Sequence, residues 1–375
     1  YEAANPNVTI EMVDLGSTDY MTVLATELSG SGSDFDVVTI KDVPGYATLV
    51  QKNTLESLDD YITDAGINLA DFNGITDQVT VDGSLYELPF RSDYWLIYYN
   101  KDVFDAAGIA YPSNDMTMED YDALARQLTD TTYGSQVYGC HYHTWRSAVE
   151  LFGILDGKHS ILDGNYDWMI PYYDMILSEE DDGVCQTYTD LSTEGLHYSA
   201  AFSNGNVAMM NMGSWFISTL ISNLDSGEYD SSLCGNWGIA SYPHPDGAEA
   251  GSTIATITGL AVTSASANKD AAFDFVNWVS GTEGAKVMAS TGNFPAIMTD
   301  DVINTIAGMA GFPTDESSKE ALNITNAYLE VPYAENVSEI NSILDTYHTS
   351  IMNREVTVEE GVASMNEQVG KILNQ

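Results

Sequence analysis

Apolar positions along this chain recur in two rhythms that alternate from the first residues. Asn7 to Val13 places Val8, Ile10 and Met12 at every second position, the period of a strand. Ser17 or Thr18 then offers a cap for a helix whose face carries Met21, Leu24, Ala25 and Leu28. A Ser/Gly break from Ser29 to Ser33 separates it from Phe35 to Ile40, an apolar run suited to a buried parallel strand. Strand, helix and strand at this pitch predict a right-handed crossover.

The alternation resumes downstream. Trp95 to Tyr99 is an aromatic, β-branched strand, followed by a short helix from Val103 that Gly108 stops. After a loop at Pro112 to Asn114, Met116 to Leu128 repeats at helical spacing through Tyr121, Leu124, Ala125 and Leu128. Helical patterns dominate from about 145 to 250, divided by acidic turns such as Glu179 to Gly183 and Asp225 to Gly227. Strand character returns over 252–263, then AAFDFVNWVSGTEGAKVMAS is helical, as is most of the tail up to Leu373. Such alternation predicts α/β domains with parallel sheets. A length of 375 residues exceeds one ordinary core and predicts two domains. No long Pro- or Gly-rich linker joins them, so the chain is expected to cross between domains several times.

Charge narrows the partners. Acidic residues outnumber basic ones 56 to 12, a formal net charge of −44, and the basic residues are dispersed. That field repels nucleic acid and anionic lipid, favours a monomer, and favours neutral or cationic ligands. No apolar run approaches the roughly 20 residues of a membrane-spanning helix.

Catalytic motifs are missing: GxSxG, HExxH and GxxxxGK[ST] do not occur. Carboxylates are so abundant that pairs at glycosidase spacing arise by chance. His141 and His143 share a face if extended but lack a third ligand nearby. Asp163, Asn165, Asp167 and Asp174 match four positions of a calcium loop, yet Trp168 stands where glycine is needed, so a plain turn is the better reading. Cys140, Cys185 and Cys234 leave at least one thiol free, and spacing selects none of the three possible pairings.

Aromatic residues say more, with 23 Tyr and six Trp. Sugars present flat C–H faces that stack on rings and hydroxyls that need planar polar partners. Arg91, Asp93, Tyr94 and Trp95 supply both kinds within five residues. Trp145 beside Arg146, and Asn211 near Trp215, are further candidates, while Trp95 itself reads as core.

Four blocks in order resemble the family 1 extracellular solute-binding proteins of bacterial ABC transporters, the group that includes maltose-binding proteins. They are YEAANPNVTIEM with MTVLATELSGSGSDFDVVTI; VDGSLYELPFRSDYWLIYYNKDVFDAAGI; FSNGNVAMMNMGSWFIS; and NKDAAFDFVNWVSGTEGAKVMASTGNFPA. The resemblance implies a two-lobed periplasmic-binding-protein-like α/β fold of type II. Each lobe would be a mainly parallel sheet flanked by helices, with the ligand cleft between lobes. It implies lobes of 1–98 plus 257–300 and 99–256 plus 301–375, with crossings near Tyr98, Thr258 and Ala310. Carried over residue by residue, it implies ligand contacts at Asp42, Tyr46, Arg91 and Asp93, to which Tyr94, Trp145, Asn211, Gly213, Ser214, Trp215 and Phe294 are added. It implies capture of an oligosaccharide by hinge closure, without turnover, and delivery to permease subunits, with no cofactor and no metal. It also implies an extracellular, lipid-anchored protein, whose anchoring cysteine would sit ahead of Tyr1 together with a first strand. A secreted glycosidase using two carboxylates is the rival expectation.

Overall fold

The structure is a computed structural model that describes residues 1–16, 19–30, 35–72, 74–130 and 136–374. The chain forms two compact units. The first comprises Tyr1–Ser92, Thr256–Val302 and Val331–Ser338; the second comprises Asp93–Ala255, Ile303–Glu330 and Glu339–Gln375. Crossings thus fall at 92–93, 255–256, 302–303, 330–331 and 338–339. The return over 331–338 has no counterpart in the sequence-based boundaries, and the first crossing lies six residues ahead of Tyr98.

Seven strands occur among the described residues: β1 (Val37–Ile40), β2 (Leu88–Asn100), β3 (Tyr138–His141), β4 (Val207–Gly213), β5 (Trp237–Ser241), β6 (Thr253–Val262) and β7 (Ala327–Leu329). In the first unit, β1 pairs antiparallel with the end of β6, Val37 opposite Val262 and Ile40 opposite Gly259. Helices Tyr20–Ser29 and Val43–Gln51 flank that pair. Tyr46, Leu49, Leu58, Ile75 and Val79 are buried there without residual exposure. In the second unit, residues Trp95 to Tyr99 of β2 run antiparallel to β4 on one side, and β2 pairs antiparallel with β5 on the other. β3 lies parallel to β4, and β7 parallel to the start of β6.

The sheets are therefore mixed, not mainly parallel. Helix-connected strands within one unit do run parallel, as β3 and β4 show, because a crossover returns the chain in the same direction. β2 and β6 instead run through a crossing between units, so no local helix fixes their direction relative to their neighbours. β1 is correspondingly antiparallel rather than parallel. The strand expected over Asn7 to Val13 does not form: the segment is irregular, and Ile10, Met12 and Val13 are exposed. A strand needs a hydrogen-bonding neighbour, and among the described residues none pairs with this stretch. The expected crossover through it falls with it. The capping residues Ser17 and Thr18 lie outside the described residues, as do positions 31–33 of the Ser/Gly break; the helix starts at Tyr20 after Asp19. The acidic turn at Glu179 is also corrected, since Glu179 and Glu180 belong to helix Ile170–Asp181 and are buried.

One ion network organises the second unit. Arg146 is buried, and its Nε donates to Glu150 Oε2 at 2.5 Å, on helix Ser147–Ile154. Its other nitrogens donate to Asn341 O at 3.1 Å, to Asn341 Oδ1 at 2.6 Å and to Asp345, all on helix Val337–Met352. Arg146 is thus committed to structure rather than paired with Trp145 at a ligand surface. The suspected calcium loop is a turn: Asn165 Oδ1 accepts from Asp167 N and Asp163 Oδ2 from Ser160 N.

Candidate functional site

In the second unit, β4 ends at Gly213 and gives way directly to helix Trp215–Ser226. A Cβ at Gly213 would lie 2.0 Å from Trp215 Cζ3, so only glycine lets the indole fold back over the strand end. That places Trp215 against Trp95, ring centroids 5.6 Å apart and edge to face. Trp145, from the turn after β3, completes a three-indole set at 6.4 Å from Trp95 and 6.2 Å from Trp215. Tyr198 joins it, 5.6 Å from Trp145, with its hydroxyl accepting from Trp215 Nε1 at 3.1 Å. His143 packs edge-on against Trp145 at 4.6 Å, and His197 stands 5.8 Å from His143.

Exposure grades across this set. Trp95 is 2% exposed and forms the floor, as its apolar sequence context predicts, whereas Trp145 is 39% exposed. Polar groups are held beside the rings. Ser214 Oγ donates to Asp93 Oδ1 at 2.9 Å and accepts from Tyr94 N at 3.2 Å, while Ser214 N donates to Tyr94 O at 2.8 Å. Asp93 is thereby fixed to the same Gly-Ser-Trp segment that carries Trp215. Burial, with a smaller push from His197, holds the His143 pKa down to about 4, so its imidazole is neutral near pH 7 and can both donate and accept. Asn211 is buried and donates to Tyr242 OH at 3.1 Å.

The first unit gathers a second set. Asp42 caps helix Val43–Gln51, its Oδ1 accepting from Gly45 N at 2.7 Å, and stays exposed. Tyr46 is fully buried; its hydroxyl accepts from Tyr86 N at 3.2 Å and its ring meets Tyr333 at 6.0 Å. Glu87 is also fully buried, and a Cβ at Gly259 would sit 2.0 Å from its Oε2. Burial, reinforced by the Asp42 charge, pushes the Glu87 carboxyl up to about 8. Arg91 is bridged to Pro295, and Phe294 O accepts from Ser92 N at 3.2 Å. Phe294 itself is without residual exposure.

The structure therefore gathers Asp93, Tyr94, Trp145, Gly213, Ser214 and Trp215 in one unit. Asp42, Tyr46, Arg91 and Phe294 belong to the other, so the sequence cluster of Arg91 and Asp93 is divided by the crossing at 92–93. Tyr198, His143, His197 and Glu87 are additions that sequence reasoning did not make. His143 carries a signal, its place two residues before Trp145, whereas its pairing with His141 points only to a metal ligand. Tyr198 carried none, being 17 positions from Trp215.

Comparison with known proteins places the chain. A family model described as bacterial extracellular solute-binding protein matches residues 1–286. The chain belongs to that family. A sugar transporter of Rhizobium etli, solved in an open conformation, is 47% identical with a TM-score of 0.90, covering 99% of this chain and 93% of that one. The mannitol-binding protein of Pseudomonas aeruginosa is 23% identical over 77% of this solute-binding chain and 66% of its own length. The lactose-binding protein of Rhizobium radiobacter is 25% identical over 74% and 64%. The matches thus span about two thirds of the length of these two curated relatives. These family members are solute-binding proteins rather than enzymes.

Proposed function

We propose that this protein is the substrate-binding component of an ABC importer that captures a neutral carbohydrate without transforming it and delivers it to membrane permease subunits. The observation that carries the reading is the graded indole set of the second unit. A buried floor at Trp95, a partly exposed wall at Trp215 and an exposed rim at Trp145 make an apolar surface suited to sugar C–H faces. Asp93, held by Ser214, and neutral His143 supply hydroxyl partners beside it. A net charge of −44 disfavours anionic ligands and agrees with an uncharged one. The names of the relatives, which bind or transport sugars and a polyol, point the same way. The protein would act as a monomer on the outer side of the membrane, tethered there by a lipid.

Calorimetry against neutral di- to tetrasaccharides, with mannitol as the polyol control, tests the proposal. We expect saturable binding of at least one saccharide and unchanged saccharide on recovery. Monosaccharide release at about 1–1,000 per second would mark an enzyme instead, and absence of binding across the panel would reject the carbohydrate class.

A further inference from the structure

Away from the indole set, the second unit buries three protonatable side chains against one another. Cys140 lies on β3, Glu179 in the last turn of helix Ile170–Asp181, and Cys185 shortly after that helix. Backbone bonds lace these segments together. Gly139 N donates to Val184 O at 2.8 Å, Cys140 N to the same oxygen at 3.4 Å, and Val184 N to Glu179 O at 2.8 Å. As a result both Sγ atoms and a Glu179 carboxylate oxygen lie within 4.8 Å of one another. Cys140 and Glu179 have no exposed surface and Cys185 is 3% exposed.

Glu179 is the informative member. Neither of its carboxylate oxygens makes a hydrogen bond of good geometry; the Tyr142 hydroxyl and the Asp122 carboxyl are its looser hydrogen-bonding neighbours. A buried carboxylate is costly unless it keeps its proton, pairs with a cation or binds a metal. Two thiols and a carboxyl are, once deprotonated, a ligand set for a thiophilic divalent ion.

We propose that Cys140, Glu179 and Cys185 form a structural site for a divalent cation of the zinc class. Binding is ligand exchange without change of oxidation state. Each thiol, and Glu179 where it carries a proton, releases that proton to solvent as its bond to the metal forms, Glu179 binding through a carboxylate oxygen, and the ion loses water. Three protein ligands leave one position of a tetrahedron for a retained water or for the neighbouring Tyr142 hydroxyl. Two thiolates and one carboxylate leave a net charge of −1 on the bound site, with the Arg126 guanidinium acting on Glu179 nearby. The ion would tie helix Ile170–Asp181 to β3, whose continuation through His143 delivers Trp145 to the indole set. A disulfide between the two cysteines is the competing chemistry. It would transfer two electrons to an external disulfide oxidant and engage the two sulfurs alone, whereas a metal ion engages all three side chains that the fold brings together, which is why the geometry favours the metal.

The experiment uses the whole chain, purified under reducing conditions, stripped with a chelator and titrated with Zn²⁺ and, separately, with Cd²⁺. Cadmium thiolates give an ultraviolet charge-transfer band. We expect one equivalent of metal per chain to survive gel filtration and to raise the melting temperature. Cys140→Ser and Cys185→Ser should each abolish the cadmium band, whereas Cys234→Ser should match the parent. Glu179→Gln retains both thiols and should weaken binding at least about tenfold, since even partners behind a ligand are worth 10–100-fold. Circular dichroism checks folding, and if a cysteine variant does not fold, the parent and Glu179→Gln decide. The proposal is overturned if the reduced protein retains no metal, or if peptide mapping of the exported protein recovers Cys140 and Cys185 joined to each other.

Discussion

At the scale of single residues, the glycine at 213 decides where an indole goes, and that indole decides what the surface can hold. Trp145, the rim of the set, is 39% exposed and therefore contributes little to the core. Trp145→Ala should weaken saccharide binding by about 2–4 kcal/mol, the range of an interface hot spot, with little shift in the unliganded melting temperature. Calorimetry and thermal melting on the same preparation separate affinity from stability; normal affinity would remove Trp145 from the site. Glu87 supports a different prediction. Its carboxyl titrates near 8 in the folded chain and near 4.5 when unconstrained, so the folded state holds the extra proton between those values. Stability should then fall as pH rises from about 4.5 to about 8, each unit of separation being worth about 1.4 kcal/mol. Glu87→Gln, which mimics the neutral acid, should flatten that slope in melting curves taken from pH 5 to 9. An unchanged slope would mean that Glu87 is not the group responsible. Trp215, Asp93 and Gly213 could be named as candidates from sequence because they sit inside short motifs. Glu87 was visible only as one letter between Tyr86 and Leu88, since burial against Gly259 depends on a strand more than 170 positions away.

At the scale of elements, helices were easier to locate than strand directions. Gly108 ends helix Lys101–Ala107 in the left-handed region at φ 68°, as its place after an apolar run predicts. β6 emerges over Thr253–Val262 close to the predicted stretch. Direction failed because period-2 patterning reports which face of a strand is buried, not which neighbour it joins. The Asn7 to Val13 pattern shows the same limit, since alternation without a partner strand leaves Met12 88% exposed. Between elements, the Arg146 network was invisible because Asn341 and Asp345 lie almost 200 residues downstream. Arg146→Met should cost about 3–5 kcal/mol, because it strands Glu150 at zero exposure without its cation. Adding Glu150→Leu should recover much of the loss, which urea denaturation of the single and double variants measures. A single variant as stable as the parent would show that the network does not hold helix Val337–Met352 in place.

For the whole molecule, charge and connectivity set different expectations. Fifty-six acidic side chains face only twelve basic ones, and several of those cations are consumed in internal pairs such as Arg146 with Glu150 and Lys269 with Glu56. Surplus negative charge therefore promotes solubility and disfavours self-association more than it stabilises the fold. Connectivity matters more for function. Five crossings join the units, so rotation of one relative to the other must be shared among several backbone segments rather than absorbed by one flexible tether. A ligand that binds one arrangement better shifts the population toward it only by its differential affinity, and moving from 1:99 to 99:1 needs about 10⁴-fold. Small-angle scattering should accordingly show a smaller radius of gyration at saturating saccharide than without it. Trp145→Ala, at a concentration that saturates the parent but not the variant, should keep the larger radius, which ties the change to occupancy rather than to sugar in the buffer. If calorimetry confirms full occupancy while the radius stays constant, hinge closure is wrong for this protein, and the permease would have to recognise the bound ligand or a local change near it.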